Sequence, residues 1–559
     1  MLYSRTLLIV ISLFSLSITS PVYADSRAAV AMPDSYSANV AQAILDKGGN
    51  AIDAAVAASF SLAVTYPEAG NLGGGGFMLI HAQGVTRFLD YRETAPQAAH
   101  RNLYLDKEGE VIPYRSLVGY QASGVPGSVM GLWQAHQTYG QLSWSELIEP
   151  AIDLAKNGFI VHPKLVETAT WYQNWAYEKA DNLNFLDYFG NLEAEQTFKQ
   201  PELANTLKRI AEHGADEFYQ GETAQLIAKQ MQANQGLITL EDLANYQVKW
   251  RQPVQARWQG YDVYSSPPPS SGGIALVQLL QMKAELSHEF EGVYHNSASY
   301  VHLLAEIKKR VYADRAEYLG DPDFYQVPTD KLIAPKYLVQ RAKEVNPIRI
   351  SPTPEIKPGL VESEQTTHFS ILDAQGNAVS NTTTLNMPFG SGVVIKGAGF
   401  LMNDEMDDFS AKPGVPNVFG VIGGEANAIA ANKRMLSSMT PTILLRNGQV
   451  SKVIGTPGGS TIITSVFQAL VNNIEFDMTA QQAVDASRVH HQLWPKDEIG
   501  FHPSLDANTI QTLTNQGYTV SQRRFFGDLQ FISRSRFGDL EAASDQRGRG
   551  ESRVWIISE

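Results

Sequence analysis

The chain has 559 residues, 43% of them hydrophobic and 18% charged. This ordinary globular composition excludes collagen-like, low-complexity and wholly disordered classes, and since one core rarely grows past ~250–300 residues it calls for several packed layers or lobes. Acidic residues outnumber basic ones 58 to 44, for a net charge of −14, which argues against a nucleic-acid partner, and the absence of cysteine excludes disulfides, thiolate metal sites, a cysteine nucleophile and a lipoprotein anchor.

In chain order, residues 1–24 read as a cleavable secretory signal. Arg5 precedes the apolar run Leu7-Leu8-Ile9-Val10-Ile11-Ser12-Leu13-Phe14, and Val22-Tyr23-Ala24 offers a cleavage site before Asp25. The signal predicts a periplasmic or secreted protein with no membrane association beyond export. The apolar run 51–65 contains Asp53 and falls short of the ~20 residues a span needs, so it predicts a buried helix. Residues 35–46 carry a helical period with Ser35 as cap, stopped by Gly48-Gly49. After the glycine run Gly73 to Gly76, Phe77-Met78-Leu79-Ile80 reads as a strand that turns at Gln83-Gly84 and returns through Phe88-Leu89-Asp90-Tyr91-Arg92. Residues 128–345 alternate helical patterns with loops, clearest as helices at 147–156, 203–211 and 298–315, and Pro267-Pro268-Pro269-Ser270-Ser271-Gly272-Gly273 reads as a loop. The stretch 351–365, with Pro352, Pro354, Pro358 and Gly359, predicts an exposed flexible linker. Strands follow: 366–373 turns at Gln375-Gly376-Asn377 into 378–386, and 442–446 pairs with 450–454 across Asn447-Gly448.

No phosphate-binding glycine motif, serine nucleophile elbow or H-E-x-x-H motif is present, and the sequence calls for no cofactor and no metal. The pair His490-His491 predicts packed or hydrogen-bonded imidazoles. The cluster Asp404, Glu405, Asp407, Asp408 lacks the alternating oxygen ligands and glycine of a calcium loop and, taken alone, predicts a solvated acidic turn. The glycine run alone predicts close backbone packing. The junction at Gln365 and Thr366 carries a chemical possibility. A threonine hydroxyl needs an adjacent base to act as a nucleophile. If the bond before Thr366 is cut, the freed α-amine, with a reference pKa of about 7.7–8.0, supplies that base.

Several stretches in one order resemble the γ-glutamyltransferase family over nearly the whole chain after residue 28. They are Pro67-Glu68-Ala69-Gly70-Asn71-Leu72 running into the tetraglycine, Asp90-Tyr91-Arg92-Glu93-Thr94-Ala95-Pro96, the triple proline with Ser270-Ser271-Gly272-Gly273, and Tyr312-Ala313-Asp314-Arg315 through Leu319-Gly320-Asp321-Pro322. Beyond the junction come Thr366-Thr367-His368-Phe369-Ser370, Met406-Asp407-Asp408-Phe409-Ser410, Leu436-Ser437-Ser438-Met439-Thr440-Pro441-Thr442 and Thr456-Pro457-Gly458-Gly459-Ser460.

The resemblance implies an α+β fold, the four-layer αββα sandwich of the N-terminal nucleophile hydrolases, with extra helices in a large subunit 25–365 and a small subunit 366–559 cut from one precursor between Gln365 and Thr366, the two pieces forming a heterodimer. It implies cleavage of γ-glutamyl compounds such as glutathione, with the glutamyl group passed to water, amino acids or peptides. Residue by residue, Thr366 is the nucleophile, Thr384 orients its hydroxyl, and Gly458 and Gly459 form the oxyanion hole. Arg92, Ser437 and Ser438 hold the substrate α-carboxylate, and Asn386, Glu405 and Asp408 the α-ammonium. The sequence departs from the family at Glu405, where some members carry glutamine, and at Phe419 in the lid-like Pro413-Gly414-Val415-Pro416-Asn417-Val418-Phe419-Gly420, where relatives often carry tyrosine. Two alternatives stand beside this reading. One is a cephalosporin-acylase-like amide hydrolase on the same scaffold, which Arg92, Asp408 and the serines disfavour. The other is an exported, non-catalytic binding protein.

Overall fold

Side chains alternate sides along a strand, and in this protein that alternation sorts them into separate cores. In Arg27–Met32, Ala28, Val30 and Met32 pack with the helices Ser35–Asp46 and Ala51–Thr65. Ala29 and Ala31 instead face a second sheet. Met78 and Ile80 take the helix side, and Phe77 and Leu79 the sheet side. Opposite them Ile443, Leu445 and Val453 close the inter-sheet core, while Leu444 and Ile454 pack with the helices Gly272–Glu285, Ala298–Tyr318 and Thr461–Glu475. The outcome is helix, sheet, sheet, helix, the four-layer αββα sandwich that the resemblance implies. The computed structural model describes residues 27–352, 365–412, 424–523 and 526–557. The leader 1–24, most of the linker 351–365 and the lid with Phe419 lie outside the described residues.

The first sheet runs in space Glu551–Ile556, Arg27–Met32, Gln365–Leu372, Ala378–Asn386, Gly75–Ala82, Val85–Asp90, Lys249–Arg251, every neighbour antiparallel. The second runs Leu540–Ser544, Gln530–Arg534, Gln449–Gly455, Thr442–Arg446, Tyr261–Ser265, Val254–Trp258, also antiparallel throughout. Two of the three predicted hairpins form on left-handed residue pairs, Gln83-Gly84 at φ 54° and 76° and Asn447-Gly448 at φ 52° and 76°, as two-residue turns between twisted strands require. The glycine run packs as expected: a Cβ on Gly73 or Gly74 would strike the carbonyl oxygens of Leu401 and Thr384.

Three expectations are corrected. The cap of Ser35–Asp46 is Asp34, whose carboxylate accepts from the Ser37 amide at 2.7 Å; Asp34 precedes the helix in extended conformation, whereas Ser35 is already its first residue. The stretch read as helices and loops also supplies Lys249–Arg251, Val254–Trp258 and Tyr261–Ser265. Lys249–Arg251 takes its pairing from the distant Val85–Asp90, whereas Val254–Trp258 and Tyr261–Ser265 form a local hairpin across the left-handed pair Gln259-Gly260, at φ 50° and 80°, a turn signal that the sequence reading passes over. The proline-rich loop stops at Ser271, because Gly272–Glu285 is helical.

On the central strand Gln365–Leu372, His368 is fully buried. Its Nδ1 lies 2.8 Å from Thr382 Oγ1 and its Nε2 3.1 Å from Ser370 Oγ. Burial pulls its pKa down to about 3. An unfolded histidine takes its proton near pH 6.5, so between these values the unfolded chain binds more protons, and stability falls as the pH drops. Replacing His368 by asparagine is expected to remove about 1.4 kcal/mol of that fall per pH unit below 6.5. Urea midpoints at pH 7, 6 and 5, measured with and without the substitution in the uncut Thr366→Ala chain, check this: the advantage of His368 should shrink with each step.

Candidate active site

Thr366 follows Gln365 within one strand, so its nitrogen is here an amide and not a base. Thr367 pairs with Thr383 and Gln365 with Asn386, which sets Thr384 and Leu385 against Thr366 alone. Such a bulge bends a strand and re-aims its side chains. It brings Thr384 Oγ1 within 3.4 Å of Thr366 Oγ1, and the Asn386 amide, at φ 78°, donates to the same Thr384 oxygen at 2.8 Å.

Around this pair a cavity of about 20 Å³ is lined by Arg92, Thr366, Thr384, Asn386, Glu405, Asp408, Ser437, Ser438 and Gly459, together with Met439 and Ile462. The structure therefore gathers, from six separate stretches of chain, nearly every residue that the resemblance nominates. Gly458 stands just behind the lining. It and Gly459 take φ of 130° and 55°, a conformation that suits glycine, and the Gly458 carbonyl is held by the Thr461 amide at 3.0 Å and hydroxyl at 2.7 Å. A roomier cleft of about 390 Å³ beside Glu241, Lys249 and Arg434 contains none of the nominated groups.

Arg92 is fully buried. Its Nη1 pairs with Glu405 and its Nη2 with Asp408, while Glu93 lies 3.7 Å from Nη1. Burial works against its charge, but the three carboxylates outweigh that and hold its pKa above the ordinary arginine value. The carboxylates in turn are raised by burial against the pull of Arg92: Glu405 well above the usual range, Asp408 also upward, and Glu93 to about 7. The two ends of the implied zwitterion clamp thus meet directly. Asn386 donates its side-chain amide to the Asp404 carbonyl at 3.1 Å.

The acidic cluster is not a solvated turn. Asp404, Glu405 and Asp407 are buried. Asp404 accepts from the Met387 amide at 2.9 Å, and Asp407 from the Ser116 hydroxyl at 2.5 Å. Buried acids persist where such partners exist; the partners are distant in sequence, so no local pattern reveals them. His490 and His491 are buried and hydrogen-bonded, to Thr464 at 2.9 Å and to the Glu498 carbonyl at 2.7 Å, as expected. The sequence reading missed Met439, Ile462 and Glu93; the first and last lie inside stretches quoted for the resemblance and carry no other signal.

Two antiparallel sheets face to face between helical layers, with a bulged threonine pair at the start of a central strand, define the fold of the N-terminal nucleophile hydrolases. The cephalosporin acylase of Bacillus halodurans shares this fold, with a TM-score of 0.81 over 98% of this chain and 99% of that one at 26% identity. The chain belongs to the gamma-glutamyltranspeptidase family, whose family model matches residues 37–555. It is 58% identical to the glutathione hydrolase proenzyme of Pseudomonas aeruginosa over 525 residues, 93% of each chain. To that of Escherichia coli it is 44% identical over 524 residues, 93% of this chain and 90% of the other. Among solved structures, the gamma-glutamyltranspeptidase of Pseudomonas nitroreducens complexed with L-DON matches at 56% identity and a TM-score of 0.57. The match covers 58% of this chain and 96% of that one. The protein is therefore an enzyme of this family.

Proposed function

We propose that the chain is exported, cuts itself between Gln365 and Thr366, and then cleaves γ-glutamyl amides such as glutathione, transferring the glutamyl group to water, amino acids or short peptides. The observation that carries this reading is the single cavity shared by the Thr366 hydroxyl and a buried clamp of one cation, two carboxylates and two serines. In maturation, Thr366 Oγ attacks the Gln365 carbonyl carbon, the C–N bond breaks as the proton passes to nitrogen, and water opens the resulting ester. The product is a new carboxyl at Gln365 and a free amine at Thr366. The large piece 25–365 and small piece 366–559 remain together as a heterodimer. In turnover the amine takes the hydroxyl proton, Oγ attacks the γ-carbonyl, and the leaving amine departs with a proton. Water or an acceptor amine then releases the glutamyl group. The amides of Gly458 and Gly459 stabilise the tetrahedral oxyanion, each such donor being worth about 2.7–4 kcal/mol. Arg92, Ser437 and Ser438 take the α-carboxylate, and Asn386, Glu405 and Asp408 the α-ammonium. This leaves a ping-pong enzyme in the periplasm or medium.

The test uses the full chain expressed with its own leader. Intact mass and N-terminal sequencing should give two pieces, the smaller beginning Thr366-Thr367-His368, and the protein should hydrolyse a γ-glutamyl anilide faster than a glutaryl anilide. A single stable chain, a different start, or faster glutaryl cleavage, the acylase outcome, would overturn the reading.

A further inference from the structure

Two stretches quoted for the resemblance have no role so far: the segment Tyr312-Ala313-Asp314-Arg315 and the serines after the triple proline. The structure joins them at the serine wall of the cavity. Arg315, on the helix Ala298–Tyr318, is 1% exposed. Its Nε donates to Ser271 Oγ at 2.8 Å and its Nη2 to Ser438 Oγ at 3.0 Å. Ser271 passes the bracing on, its hydroxyl and its amide both donating to the Ser437 carbonyl at 2.7 Å. One guanidinium fork thus fixes Ser438 directly and Ser437 through Ser271.

Donor counting gives this bracing a chemical meaning. A serine hydroxyl has one proton and two acceptor positions, and a guanidinium only donates. Ser438 Oγ is therefore an acceptor toward Arg315, and Ser437 Oγ is an acceptor from the Met439 amide at 3.1 Å. Ser271 Oγ, 3.5 Å from Ser438 Oγ, is beyond the ordinary O–H···O range, and its own proton is committed to the Ser437 carbonyl. Both Ser437 and Ser438 line the cavity, so that is where their hydroxyl protons are available. Two such protons backed by a buried cation suit a carboxylate. Burial lowers the Arg315 pKa only to about 10, so the group is charged at neutral pH. One turn earlier Tyr312 donates its hydroxyl to the Ser460 carbonyl beside Gly459, so one helix face braces both the serine wall and the glycine loop.

We propose that Arg315 is a positioning residue for substrate carboxylate recognition: it orients Ser438, and Ser437 through Ser271, so that their hydroxyls donate to the α-carboxylate of a γ-glutamyl substrate. The proposal rests on the γ-glutamyl reading above. A lysine cannot replace Arg315 fully, because a point charge lacks the fork that reaches two hydroxyls at once.

The test compares a γ-glutamyl anilide with the same anilide bearing an α-carboxamide, using the purified native protein, Arg315→Gln, Arg315→Lys and Ser271→Ala. Arg315→Gln should raise KM for the carboxylate substrate by about 10-fold, the scale of one lost charge-assisted hydrogen bond. It should leave kcat within about 2-fold and leave KM for the carboxamide unchanged. Arg315→Lys should fall between Arg315→Gln and native. Ser271→Ala, which keeps the cation and serves if Arg315→Gln does not fold, should raise KM for the carboxylate substrate alone by roughly 3-fold. Equal losses on both substrates, or an unchanged KM for the carboxylate, would overturn the proposal while leaving the functional reading intact. A native protein inert toward both substrates would overturn the two together.

Discussion

Replacing Thr366 by alanine should leave a single uncut chain and reduce γ-glutamyl release by at least ~10³-fold, the scale seen when a nucleophile is removed. The same hydroxyl is asked to cut the chain and to carry the glutamyl group, so both readouts should fail together. Thr384 is no substitute, although its oxygen is 3.4 Å away. It already accepts from the Asn386 amide, and its own nitrogen lies inside a strand and can never be freed as a base. Thr366→Ser keeps the oxygen and should both cut and turn over, more slowly. Intact mass after long incubation reads the cutting, and a γ-glutamyl anilide reads the turnover. Two pieces or native turnover from Thr366→Ala would remove Thr366 from the centre of the chemistry.

The second large effect is expected at Arg92. Arg92→Gln leaves Glu405, Asp408 and Glu93 buried without their shared cation. Breaking a buried ion pair by deleting one partner typically costs ~3–5 kcal/mol, and here three carboxylates depend on one arginine. Substrate affinity should be lost as well. The pH dependence gives the sharper check. All three carboxyl groups are raised by burial even with Arg92 present, and without it they rise further. A folded state whose acids hold protons more tightly than the unfolded chain loses stability as pH increases from the unfolded pKa of about 4.5 upward. The deficit caused by Arg92→Gln should therefore widen between pH 5 and pH 8, read as the separation of urea midpoints with and without it in the uncut Thr366→Ala chain. A deficit constant over that range would mean that Arg92 does not control these acids.

The parts of the molecule legible in its sequence are those fixed by local chemistry. Gln83-Gly84 and Asn447-Gly448 announce their hairpins because a tight turn needs left-handed residues, and the run from Ala51 to Thr65 announces burial because it has no polar face. The site itself is not legible in that way. Arg92, Thr366, Glu405, Ser437 and Gly459 come from distant stretches, and their convergence follows from sheet pairing. Only the resemblance of the ordered segments nominates them. What resemblance does not supply is the state of the groups once gathered: that Arg92 closes on Glu405 and Asp408, that Asp404 and Asp407 are buried on hydrogen bonds from far residues, and that Arg315 stands behind the serines. Of the strands between Lys249 and Ser265, only Lys249–Arg251 escapes for a related reason, its partner Val85–Asp90 being far off in sequence; Val254–Trp258 and Tyr261–Ser265 carry a local turn signal at Gln259-Gly260 that the reading passes over.

The order of strands in the two sheets bears on the life of the protein after cutting. In the first sheet, segments before and after Thr366 alternate: Glu551–Ile556 beside Arg27–Met32, then Gln365–Leu372 with Ala378–Asn386, then Gly75–Ala82. In the second, Thr442–Arg446 is zipped to Tyr261–Ser265. Neither fragment owns a complete sheet. Tethered, they assemble as one molecule; severed and melted, they must meet again by diffusion, at a rate set by concentration and with raw strand edges exposed to every neighbour. Heat or denaturant would therefore act on the processed form as a one-way gate, and its endurance would be governed by how slowly the weave comes undone rather than by any equilibrium.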